Sequence, residues 1–164
     1  MKGIRFIPIR WVLAGWILIL ACGAAPSFLA HPAVADQNDP RLDTLFDELQ
    51  RTANMRQATL LTQQIWDHWT AYDDDRIASM MVLGIRLMNV GQLAQAERVF
   101  SDIIKDKPGF AEAWNKRATV RFIRGNDTGS QQDIAEVISR EPRHFGALSG
   151  LAMIHLRNGN AAGA

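Results

Sequence analysis

Four histidines, three consecutive aspartates and one cysteine are the residues of this chain best suited to chemistry, and their spacing argues against each in turn. His68, His144 and His155 form neither an H-x3-H nor an H-E-x-x-H arrangement, the spacings that set two imidazoles on one helix face around zinc. His31 falls in a leader-like N-terminal segment. Asp73-Asp74-Asp75 lacks the alternating ligands, central glycine and distal glutamate of a calcium loop, so a solvated helix terminus is expected there. Cys22 is the sole cysteine, which excludes an internal disulfide and a cysteine zinc site. There is no phosphate-binding loop and no G-x-S-x-G. Asn126-Asp127-Thr128 has the form of a glycosylation acceptor, which matters only in a host that glycosylates exported proteins. With no nucleophile, base and acid clustered, the sequence predicts no enzyme, no cofactor and no metal.

Such a chain must work through its surface, and composition bounds what that surface meets. Of 164 residues, 48% are apolar, enough to build a core. The formal charge of +1 hides an asymmetry. Lys2, Arg5 and Arg10 are the only charged residues before position 36. Removing those three from the eighteen basic residues leaves fifteen against seventeen acidic ones. A body so close to neutrality carries no footprint for nucleic acid.

The N-terminus reads as a signal peptide over residues 1–35. A basic start precedes the apolar run Trp11–Cys22, and small residues lead to Ala33-Val34-Ala35. The run is shorter than the ~20 residues a spanning helix needs. Cleavage after Ala35, giving a periplasmic or secreted protein, is the expectation. Ile19-Leu20-Ala21-Cys22 also resembles a loose lipobox, so a lipidated Cys22 or a retained anchor would instead give membrane attachment.

Periodicity organises the rest. Gly91, Gly125 and Gly159 lie 34 residues apart, as do Pro108 and Pro142. On that period, Met80, Leu83, Gly84, Leu87, Ala96, Phe100 and Pro108 align with Trp114, Ala118, Ile134 and Pro142, and with Leu148, Leu151, Ala152 and Ala164. The pattern resembles the tetratricopeptide (TPR) repeat, W-x2-L-G-x2-Y…A-x3-F…P. Apolar spacing predicts helices at about 77–90, 93–106, 111–124, 128–140 and 145–157. Arg117 and Arg121 replace apolar residues and Ser130 replaces alanine, which predicts a looser second repeat.

The resemblance implies an all-α fold, a right-handed superhelix of antiparallel helical hairpins. Repeats run over 77–110 and 111–144, and a partial repeat over 145–164. Residues 36–41 read as a flexible start. Residues 42–76 read as a helical pair at about 41–53 and 56–71, either a divergent repeat or a cap over the first apolar face. Trp66 and Trp69 are expected core contacts of that pair. The third repeat stops early and leaves Leu148, Leu151 and Ile154 partly uncovered. Either the sequence is truncated or a partner, a second copy included, supplies the missing face.

In this family the first helix of each repeat lines a concave, partner-binding face. Here its rows would be Met81, Asn115 and Ser149; Ile85, Thr119 and Met153; Met88, Phe122 and Leu156. Ile85 and Met153 suit packing between helices equally well. Asn115 and Lys116 are out of register for the lysine/asparagine clamp that holds a carboxylate in some TPR domains. The expected function is an exported adaptor or scaffold that binds a protein or peptide in this groove. The alternative is a regulatory or assembly subunit of an envelope complex that docks through its C-terminal face.

Overall fold

The computed structural model describes residues 39–72 and 74–160. The leader, Cys22 and the Ala35 cleavage site lie outside them. The described residues form seven α-helices: α1 Pro40–Arg51, α2 Met55–Thr70, α3 Asp75–Asn89, α4 Leu93–Asp106, α5 Ala111–Ile123, α6 Asp127–Arg140 and α7 Phe145–Arg157. There is no strand among them.

Local chemistry sets the helix ends. Asp39, Asn54, Asp74 and Asn126 each cap a helix by accepting backbone N–H groups of its first turn. Asp74 therefore belongs to a helix start, the role expected of the aspartate run. Asp39 begins α1 at Pro40, so the last two residues of the expected flexible start are helical. The period glycines end helices in the left-handed region, with φ of 77° at Gly91, 80° at Gly125 and 74° at Gly159. Gly91 N–H donates to Met88 O and Gln92 N–H to Leu87 O, the paired bonds of a Schellman cap.

Packing follows the repeat. Consecutive helices pair as α3 with α4, α5 with α6, and α6 with α7, while α3 packs on α5 and α5 on α7. The first helices thus form a row, as expected of a solenoid. Phe100 is fully buried, and an added Cβ at Gly84 would stand 2.6 Å from its ring. That close approach is why the repeat has a glycine there.

The second repeat is not loosened by its arginines. Arg117 grips the buried Asp133 through Nε at 2.9 Å and Nη2 at 2.7 Å. Arg121 bonds Glu97 and Asp133, both at 2.9 Å. Ser130 Oγ donates to Ala118 O at 2.8 Å. The apolar contacts are replaced by charge-assisted bonds in which each ion has a partner. Ile154 also departs from expectation. It is fully buried, packing back in the cluster that holds Ile134 and Val137, so of those three residues Leu148 and the half-buried Leu151 remain uncovered.

The N-terminal pair does not stack on the first repeat. Among the described residues α2 makes no close approach to α3 and packs on α5 instead. The outward face of α3, with Val82 and Leu83, stays exposed, as does Val90 at its C-cap. Apolar periodicity says that a helix has a buried face, not which helix covers it.

Candidate binding site

The α1–α2 hairpin reaches the first-helix row through an aromatic cluster. Trp66 and Trp69 are three apart on α2 and so share a face. Trp69 stacks on His144 with ring centres 4.1 Å apart and planes 7° from parallel. Trp66 meets Phe145 edge-on at 5.2 Å and Trp69 edge-on at 5.3 Å. An added Cβ at Gly146 would lie 2.9 Å from Trp66 Cη2, so the indole rests directly on α7. Arg143 covers the Phe46 ring and donates to Asp43 at 2.7 Å, fastening α1.

Beneath this cluster lies a buried polar group. His144 caps α7, its Nδ1 accepting the Ala147 N–H at 3.2 Å. That bond needs a lone pair on Nδ1, so the ring proton sits on Nε2 and is donated to Glu112 Oε2 at 3.1 Å. Asn115 Nδ2 donates to the same carboxylate at 2.9 Å. Lys116 Nζ stands 2.8 Å from Glu112 and 5.4 Å from the centre of Trp66. Burial alone pushes the Glu112 carboxyl up. The His144 bond and the Lys116 charge outweigh it, and the group lies below its ordinary value of 4.5. Asn115 and Lys116 are both committed to Glu112, which leaves neither free to clamp a ligand carboxylate.

Beyond Gly146 the row is open. A cleft of about 340 Å³ lies between α5, α6 and α7. Five of the nine residues expected in the groove line it: Asn115, Thr119, Phe122, Ser149 and Met153. Thr119 and Ser149 are exposed, and Met153 is 54% exposed. Arg157 covers one side of the Phe122 ring at 3.7 Å. Leu156 is exposed one turn further along α7. The three residues on α3 lie apart from the cleft. Met81 is buried, and Ile85 and Met88 are half-buried, packed against the core around Phe100.

Sequence reasoning missed Gly146, Gly150 and Ile134 as cleft residues, and Glu112 and His144 as the buried pair beside it. The signal for Gly146 and Gly150 was present: two glycines four apart on one helix leave one hollow face. Nothing local marks Glu112 and His144, which are 32 residues apart.

Among the described residues no group of three or more metal-binding side chains occurs, and no helix is long and apolar enough to cross a membrane. No family model matches the sequence, and no solved structure matches it. A curated protein of Rhizobium etli, named as a TPR repeat-containing protein, is 37% identical over 120 residues, 73% of this chain. The chain spans 59% of that relative's length. Taken with the 34-residue period, the glycine caps and the row of first helices, this likeness gives the chain a tetratricopeptide-repeat architecture.

Proposed function

We propose that this protein is an exported adaptor that binds a segment of another protein in the open part of its first-helix groove. The observation that carries this reading is the cleft between α5, α6 and α7, where five expected groove residues line one cavity. A cavity of that size with apolar walls and a few polar groups is the usual form of a binding cleft. Methionine at its mouth adapts to varied apolar partners. Export is supported by the basic start, the apolar run and the Ala33-Val34-Ala35 site of the leader. The cleaved protein would then lie in the periplasm or outside the cell. Docking through the C-terminal face is the second reading, favoured by Leu148, which is 44% exposed on α7.

Affinity capture from an envelope fraction separates the two. Met153→Glu should abolish capture of the specific partner with helicity unchanged, since it sets a charge at the mouth of an apolar cleft. Leu148→Glu should leave capture intact. The reverse pattern would replace groove binding with end-face docking. The mass of the mature N-terminus tests export, with a chain beginning at Asp36 as the expected result.

A further inference from the structure

We propose that the cleft is a receptor for one uncharged aromatic side chain presented by the partner segment. The proposal rests on the groove reading above and narrows its ligand.

Charge comes first. None of the twelve residues lining the cleft is ionisable. An ammonium or carboxylate entering it would lose water and find no counter-charge in the lining, and Arg157 over the Phe122 ring is already paired with Asp127 and bonded to the Phe122 carbonyl. The nearby Lys116 is paired with Glu112 and lies over Trp66. The polar groups present are largely committed. Ser130 Oγ donates to Ala118 O, Thr119 Oγ1 donates to Asn115 O, and Asn115 Nδ2 donates to Glu112. What remains is mostly apolar surface.

Shape comes second. Ala118, Ser130 and Gly150 contribute little bulk, so the cleft has depth. At about 340 Å³ it lies at the small end of the ~300–1,000 Å³ range of ligand clefts. That suits one large side chain rather than a whole helix. Phe122 offers a ring and Met153 a thioether, both favourable against the edge or face of an arriving ring.

Continuity comes third. Gly146 lines the cleft and also carries Trp66. A ring entering the cleft therefore extends a cluster the protein already builds from Trp66, Trp69, His144 and Phe145. The chain's own α2 demonstrates that this row of helices accepts aromatic side chains.

The test titrates the full chain with N-acetyl-tryptophanamide, N-acetyl-lysinamide and the α-amide of N-acetyl-aspartic acid, whose side-chain carboxylate stays free, following backbone amide shifts by NMR. The tryptophan probe should give saturable shifts centred on Thr119, Gly146, Ser149, Gly150 and Met153, and the charged probes none. Gly150→Leu fills the cleft and should weaken the tryptophan probe at least tenfold. Gly150→Ala serves as its folding control, because the added Cβ would meet Ile134 Cδ1 at an ordinary 3.5 Å. Thr119→Trp closes the cleft from an exposed position and should act like Gly150→Leu. Equal shifts with the charged probes, or indifference to both filling variants, would overturn the proposal. So would the absence of saturable shifts. If that happens while Met153→Glu still abolishes partner capture, the aromatic inference falls and groove binding stands. If Met153→Glu leaves capture unchanged, both fall.

Discussion

Two halves of the same helix row differ in what covers them. Toward the starts of α5 and α7, Glu112, His144 and Gly146 lie beneath the indoles of α2. Toward their middles and ends, Thr119, Ser149 and Met153 face open space. The helices are the same; the side chains differ. Where the row carries rings and a buried charge, the chain supplies its own cover. Where it carries small and flexible groups, the surface is left for another molecule. A repeat surface is thus not uniform, and only its uncovered part is free to bind.

Four substitutions break or sharpen that contrast. The largest effect is expected for Trp69→Ala, which removes the ring stacked on His144 and opens a cavity in the covered half. Thermal or denaturant unfolding should show a loss of about 3–5 kcal/mol. A change below about 1 kcal/mol would mean that the cover is held elsewhere.

Glu112→Gln comes next. A carboxyl held below its ordinary value in the folded state stabilises the fold at pH above the unfolded-state value, and that contribution is lost as pH falls through the folded one. The wild type should therefore lose stability on acidification below the ordinary carboxylate range. The glutamine variant should be less stable at neutral pH, by about 1–3 kcal/mol, with a flatter acid limb. Parallel pH profiles for the two proteins would show that Glu112 is not the titrating group. Lys116, His144 and Asn115 are the polar neighbours that the variant leaves in place.

The smallest effect is a difference in sign between two glycines four residues apart on α7. Gly150→Ala should stabilise by up to about 1 kcal/mol, since it gains helix propensity and its Cβ meets only Ile134 Cδ1, at an ordinary contact distance. Gly146→Ala gains the same propensity but drives a methyl into Trp66, and should cost about 1–3 kcal/mol net. Paired melting curves measure both. Equal shifts would erase the boundary between covered and open halves at that point.

The fold was largely legible because its signals are local. Glycines at the period mark left-handed helix ends, and apolar residues three and four apart mark the helices, so the helix limits agree within about two residues. Residues that depend on distant partners were not legible. Arg117 and Arg121 stand at apolar positions of the repeat, and their partner Asp133 comes from the next helix. Two arginines at apolar positions call for a buried acid, and the stripe around Ile134 and Val137 contains only that one. The position of α2 was hidden for the same reason. Its periodicity gave a buried face without naming α5 as the surface that covers it. Of the candidate site, the α5 and α7 rows come together at the cleft, while the α3 row joins the core around Phe100.

The contact from Arg143 to Asp43 spans 100 residues of sequence, whereas the repeats meet chiefly their immediate neighbours. A chain assembling hairpin by hairpin can complete α3 to α7 from nearby contacts alone, but the hairpin must wait until α7 exists to receive it. Loop closure makes it the last piece to arrive and the first to leave. Hydrogen exchange should accordingly find the amides of α2 opening at lower free energy than those around Phe100.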